Sequence, residues 1–420
     1  MKPAPQPPRS RLAHLRWVGP GLVVAATGVG AGDLVAAAKA GATYGLPLLW
    51  TALAGAVFKL VLAEGVARWQ LATGSTLLEG WGRRLHITLR FAFVAYLFVW
   101  SFVVAAALMS ACGLAAHALV PSVSLEVWAV IHALLALGFV WFGGYGGFET
   151  VMKIVVGVMF VTLLGSAFVQ KPPALEVLRG LVFPRVPGGS TILTLGVVGG
   201  VGGTLTLLSY NYWIREKGWS GAAWASAMRV DLAVGYGLTG IFGVAVILLA
   251  GSVLLPRGIE VAGRDGVLRM AILLGESFGP VGERVFLVGF WGAVASSLLG
   301  VWQGVPYLFQ DGLAMLRREA TDRRNAWVHG RAAYRVFLVF MTFPPMLLLA
   351  WGRPVWLVVV YAALGSLFMP FLAATLLYLN NDRQTMGVLR NGWRANFGLL
   401  LCLALFLYLM GLELAKQLRG

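Results

Sequence analysis

The stretch Thr27-Gly28-Val29-Gly30-Ala31-Gly32-Asp33 lies midway along an apolar run long enough to cross a membrane. A second stretch, Gly199-Gly200-Val201-Gly202-Gly203-Thr204, interrupts another such run in the second half of the chain. Glycine is costly inside a helix. In lipid, the backbone N–H and C=O groups freed by a break must be satisfied by protein, water or a ligand. Two breaks, one per half, point to a substrate site near the bilayer midplane where discontinuous helices meet. Small residues also serve close helix packing, which suffices for Gly55, Gly113, Gly157 and Gly240. The clustered breaks are denser than a packing seam requires, and one ends in an acid.

Outward from the breaks, the chain of 420 residues is 59% hydrophobic and 12% charged, against about 25% charged in a soluble domain. Windows of ~20 apolar residues mark eleven spans, near 18–40, 46–68, 90–118, 126–143, 150–169, 191–213, 229–251, 281–311, 334–351, 355–379 and 396–415. The longest connections fall near 69–89, 170–190, 252–280 and 312–333. Residues 1–17, basic and Pro-rich, read as a disordered cytoplasmic tail, without a signal-type cleavage site before the first span. Residues 18–420 read as a single transmembrane domain. Five spans precede the second break as none precedes the first, so 18–169 and 191–379 read as two repeats of five. Because five is odd, they are inverted in topology. The eleventh span, 396–415, is then an appended helix.

The net charge of +16 is a topology signal rather than a nucleic-acid footprint. With the N-terminus inside, 21 of the 33 Lys and Arg residues fall inside and 10 outside, with Lys39 and Lys59 within spans. This follows the positive-inside rule, with the N-terminus cytoplasmic and the C-terminus outside, and suits a bacterial-type plasma (inner) membrane. The lipid bilayer is therefore an expected partner, and nucleic acid is not. Cys112 and Cys402 both lie in apolar spans, which argues against a disulfide scaffold. No nucleophile–base arrangement, phosphate loop or nucleotide motif occurs, so neither a membrane enzyme nor an ATP-driven pump is expected. No cofactor is implied.

From Gly19-Pro20 through Trp50 the chain resembles the Nramp family of proton-coupled divalent-metal transporters. That family shows a Gly-Pro start, an Asp-Pro-Gly-Asn break, Gly-Ala-Arg-Tyr-Gly and Leu-Leu-Trp. The counterparts are Gly19-Pro20, Gly30-Ala31-Gly32-Asp33, Gly41-Ala42-Thr43-Tyr44-Gly45 and Leu48-Leu49-Trp50, without gaps. Leu71-Ala72-Thr73-Gly74, Phe183-Pro184-Arg185, Arg229-Val230-Asp231 and Ser296-Ser297 with Gly300 extend the match over most of the chain. The resemblance implies an all-α polytopic protein of LeuT-type fold, a 5+5 inverted repeat with helices 1 and 6 broken. It also implies secondary transport of a divalent cation by alternating access.

At the site the chain departs from the family. Nramp proteins hold metal through the Asp and Asn of the first break, a Met sulfur and a carbonyl of the sixth span. Here Gly30 stands at the Asp position and Asp33 at the Asn position. Gly203 stands at the Met, Thr204 at the following Pro, and Gly200 at the carbonyl donor. The third span, Ala105 to Leu114, carries Ser110 and Cys112 where the family has proton-route acids. A thioether favours softer transition metals. Without it, a hard or hydrated ion is the expected cargo, held by Asp33, Thr204, Thr206 and carbonyls near Gly30, Ala31, Gly32 and Gly200. The alternative is a small organic solute such as an amino acid. Its carboxylate would meet helix-end N–H groups and its amine Asp33, with Trp302, Gln303 and Tyr307 as walls.

Asp33 is the strongest single candidate, because a carboxylate inside a span is costly and usually functional. Capping the second half-helix is its structural alternative. Lys39 sits near the outer boundary and reads as snorkelling. Lys59 and Glu64, five apart, are poorly spaced for a helical pair. Glu64 is the one candidate for proton coupling, weighed against an ion pair with Arg68 at i+4. Gln303 is read equally as a substrate contact or a helix–helix hydrogen bond.

Overall fold

The computed structural model describes residues 17–170, 172–200, 202–259, 261, 266–317, 332–351 and 354–419, with Pro7. Most of the expected tail, and Val201 within the second break, lie outside the described residues. All regular structure among the described residues is helical. The elements are α1 (Pro20–Gly28), α2 (Ala31–Tyr44), α3 (Leu49–Thr73), α4 (Leu77–Arg84), α5 (Ile87–Leu119), α6 (Leu125–Phe142), α7 (Tyr145–Val169) and α8 (Ala174–Val182). There follow α9 (Thr191–Gly200), α10 (Tyr210–Glu216), α11 (Ala225–Val253), α12 (Gly266–Arg317), α13 (Ala332–Thr342), α14 (Pro354–Leu379), α15 (Arg383–Met386) and α16 (Trp393–Arg419).

The first expected span is two helices, α1 and α2, meeting at 59°. The sixth is likewise discontinuous, α9 and α10 being separated by the second break and a 3-10 turn over Leu205–Ser209. Among the described residues seven helices are long and apolar enough to cross a membrane, or eight with the bent pair counted as one span. Shorter or interrupted helices lie over the sixth, tenth and eleventh expected spans. Two expected loops contain amphipathic helices, α4 and α8. The expected loop 252–280 is partly helix. α12 begins at Gly266 and turns at Gly279, whose φ of 73° is a left-handed value that glycine tolerates.

Two groups of helices build the interior. α11 runs along α1, α2 and α3, while α12 runs along α5 and α7. α14 joins α5 to α16, and α16 also packs on α3 and α9. The crossing of α1 and α11 depends on small residues. A Cβ at Gly21 would strike the Asp231 carbonyl, and one at Gly235 would strike the Gly21 carbonyl. The N-terminus of α1 is capped from a distance. Asp231 accepts the N–H groups of Gly19 at 2.8 Å and Gly21 at 2.6 Å, and the Tyr210 hydroxyl at 2.7 Å. Pro20 between them has no N–H to satisfy. One carboxylate thus meets orphan donors of α1 and fastens α1, α10 and α11 together.

Candidate functional site

The two breaks face each other. At the second, Gly202 and Gly203 have φ of 88° and 85°, values that L side chains rarely adopt. Gly28, the last residue of α1, lies against them. A Cβ there would fall 2.5 Å from the Gly202 carbonyl carbon and 2.7 Å from the Gly203 nitrogen. Only glycine on both sides permits this approach.

Several backbone groups of the first break find partners on neighbouring helices. Ser297 on α12 donates to the Val29 carbonyl at 3.0 Å and lies 3.3 Å from that of Ala26. Ser296 lies 3.4 Å from the same Ala26 carbonyl. The Gly32 N–H donates to the Tyr361 hydroxyl of α14 at 3.2 Å. Gly30 caps α2 in an extended conformation without a side-chain hydrogen bond. Asp33 therefore sits in the first turn of α2 rather than at its cap. Its carboxylate accepts the Gly202 N–H at 3.3 Å, crossing to the second break. It is 7% exposed.

The next residue of the second break, Gly203, meets the opposite charge. Lys59 projects from α3, wholly buried, and its ammonium donates to the Gly203 carbonyl at 2.5 Å. The same nitrogen lies 3.5 Å from the Met369 sulfur of α14 and 5.6 Å from the centre of the Phe406 ring of α16. Asp33 and Lys59 attract each other electrostatically but form no ion pair within 4 Å. Each is held by its own peptide group. Among the described residues no three His, Cys, Asp or Glu side chains cluster as a metal site.

The sequence matches the natural resistance-associated macrophage protein-like family, Nramp, over residues 21–415. The chain belongs to the Nramp family. It is an integral membrane protein of LeuT-like fold. It is similar to "Metal transporter Nramp6.2" of Populus trichocarpa, 31% identical over 193 residues, covering 44% of this chain and 35% of that protein. The chain thus spans about a third of the length of the plant relatives it matches. It is also similar to "Divalent metal cation transporter MntH" of Bacillus subtilis, 22% identical over 90% of this chain and 86% of that one. Among solved structures, a mutant of the Eremococcus coleocola manganese transporter superposes with a TM-score of 0.80 at 16% identity, covering 99% and 89% of the two chains.

Within this Nramp chain the structure brings Gly28 and Asp33 of the first break up to Gly202 and Gly203 of the second, whereas Gly30 and Gly32 face Tyr361 of α14. Gly200 ends α9 just before Gly202 and Gly203. The Thr206 hydroxyl would lie 2.7 Å from a Cβ on Gly203, and Thr204 lies against Gly365 of α14. Gln303 stands apart from this group. Its side-chain oxygen accepts from the Trp213 indole at 2.5 Å, a helix–helix bond between α12 and α10. Trp302 donates to Thr342 at 3.0 Å and Tyr307 to Glu216 at 3.2 Å. Glu64 is paired with Arg68 at 2.6 Å and with Arg229 at 3.1 Å. Lys39 is exposed, as snorkelling requires. The sequence weighs Lys59 only as a partner of Glu64, and it gives no sign of Tyr361 or Met369. For Lys59 a signal existed, because a lysine within a span invites the same question as Asp33. A tyrosine and a methionine in an apolar helix give no such signal.

Proposed function

We propose that this chain is a secondary transporter that moves a divalent metal cation by alternating access, the ion being taken as a hard or hydrated species. The observation that carries this reading is the Asp33 carboxylate bridging the two breaks through the Gly202 N–H. It puts the one acid of the break between two discontinuous helices, where transporters of this architecture hold cargo. The names of the bacterial and plant relatives, metal and divalent metal cation transporters, support the same cargo. The hydroxyls and carbonyls beside Asp33 are oxygen donors, which suit a hard ion that keeps part of its water shell.

Alternating access is supported by a seam between α12 and α10. Gln303, Tyr307 and Asp311 recur every four residues on one face of α12. They meet Trp213 at 2.5 Å, Glu216 at 3.2 Å and Tyr212 at 2.9 Å on the second half of the broken helix. A rocking motion that parts these helices would open a path to the breaks from that side. Proton coupling belongs to the same proposal, with Glu64 as its candidate carrier, although two guanidinium partners suit it equally to a structural ion pair. So does placement in a bacterial-type plasma membrane with the N-terminus cytoplasmic.

A second reading, transport of a small zwitterionic solute such as an amino acid, is favoured by one observation. Opposite charges, Asp33 and Lys59, are held on adjacent residues of the second break. A panel of Mg²⁺, Mn²⁺ and amino acids, tested by thermal shift and by flux in proteoliposomes, separates the two. A saturable response to a divalent ion supports the metal reading. Silence across the metals with stabilisation by an amino acid overturns it in favour of the second.

A further inference from the structure

We propose that the Lys59 ammonium is a built-in cation of the site, and that it covers a latent soft-metal position made of the Gly203 carbonyl, the Met369 thioether and the Asp33 carboxylate. The inference rests on the reading that the paired breaks form the cargo site. It does not depend on which cargo the natural protein carries.

Three observations support it. The ammonium contacts the Gly203 carbonyl at 2.5 Å and the Met369 sulfur at 3.5 Å, so two lone-pair donors converge on one positive centre. That is how a protein surrounds a cation. The lysine is wholly buried, reached from α3 and closed over by Phe406 of α16, so it has no route by which to snorkel to water. Finally, Asp33 is attracted to Lys59 yet is anchored separately, on the backbone N–H groups of Gly202 and Gly30, so its charge stands beside the lysine without a direct ion pair.

The consequence is a rule of charge. With the ammonium in place, one acid and one base give the site no net charge. A divalent ion entering it meets a fixed positive neighbour in a weakly screened interior. The donors left open to cargo are oxygens, which suit a hard or hydrated ion. Remove the ammonium, and the sulfur and the carbonyl are uncovered beside a carboxylate. A thioether with oxygen donors favours softer, later metals over Mg²⁺ and Ca²⁺. The sulfur that the second break lacks at Gly203 is thus present on another helix, behind a lysine.

The test is calorimetry on the purified full-length protein, titrating Cd²⁺, Mn²⁺ and Mg²⁺ into wild type, Lys59→Ala, Lys59→Gln and Lys59→Arg. Lys59→Ala leaves space for the ion. Lys59→Gln keeps a donor for the Gly203 carbonyl and serves if the alanine variant does not fold. The neutral variants are expected to bind Cd²⁺ and Mn²⁺ at least tenfold more tightly than wild type, with little gain for Mg²⁺. Lys59→Arg should show no gain, and adding Met369→Leu to the neutral variant should cancel the gain for Cd²⁺. A folded neutral variant with wild-type or weaker affinity for all three ions overturns the inference. Equal gains for Mg²⁺ and Cd²⁺, or a gain that survives Met369→Leu, overturn the soft-metal part. Wild-type protein that binds no divalent ion counts against the proposed cargo, whereas the inference stands or falls on the change at Lys59.

Discussion

At the scale of residues, the facing breaks depend on glycines that leave no room for anything else. A methyl group at Gly203 would sit 2.7 Å from the Thr206 hydroxyl and 2.9 Å from the Gly28 Cα, at a backbone φ of 85°. Gly203→Ala should therefore destabilise the protein by about 1–3 kcal/mol from backbone strain alone, seen as a lowered melting temperature. Gly237, on α11, has nothing within 4 Å of a built Cβ. Gly237→Ala should be neutral or stabilising by up to about 1 kcal/mol. Equal effects of the two substitutions would remove the steric argument. The same scale shows what the sequence could and could not reveal. Glycine clusters and Asp33 were legible because they break a local rule within an apolar span. Lys59 breaks the same rule, but its partner lies 144 residues away. No helical spacing could have paired it with the second break.

At the scale of elements, the broken helices are held by side chains from other helices. Asp231 accepts three hydrogen bonds that tie α1, α10 and α11 into one unit. Asp231→Ala leaves buried N–H groups unsatisfied, at about 1–3 kcal/mol each. It should lower the melting temperature more than the loss of any exposed ion pair does, and an unchanged melting curve would count against the cap. The seam between α10 and α12 makes a separate prediction. Asp311→Asn with Tyr307→Phe weakens hydrogen bonds worth about 0.5–1.5 kcal/mol each, which should raise the reactivity of a cysteine placed at Thr206 toward aqueous thiol reagents in a background lacking Cys112 and Cys402. Unaltered reactivity would dismiss the seam as a gate. Outside the spans, Asp382 starts α15. The Thr385 hydroxyl at 2.6 Å, with the Gln384 N–H and Arg84, holds its carboxyl below the usual carboxylate range. Because the folded value is depressed, its contribution is complete above about pH 4 and fades as pH falls through the folded value. The protection factors of the α15 amides, corrected for the intrinsic pH dependence of exchange, should therefore fall on acidification, and Asp382→Asn should abolish that dependence.

At the scale of the whole molecule, the architecture was legible from two features, the long apolar spans and the paired interruptions. Both follow from the demand that backbone in lipid be satisfied. The boundaries were less legible where short helices connect the spans or a helix turns at a glycine. α4, α8 and the start of α12 all fall in stretches whose composition reads as loop. α16, the helix expected as an appendage, places Phe406 5.6 Å from the Lys59 ammonium, a relation visible only after folding. The central claim, that the facing breaks are the cargo site of a divalent-cation transporter, is tested most directly by ion uptake into proteoliposomes. Wild-type protein should take up Mn²⁺ or Mg²⁺ saturably, and folded Asp33→Ala should show none above empty vesicles. Uptake by Asp33→Ala equal to that of wild type would contradict the claim.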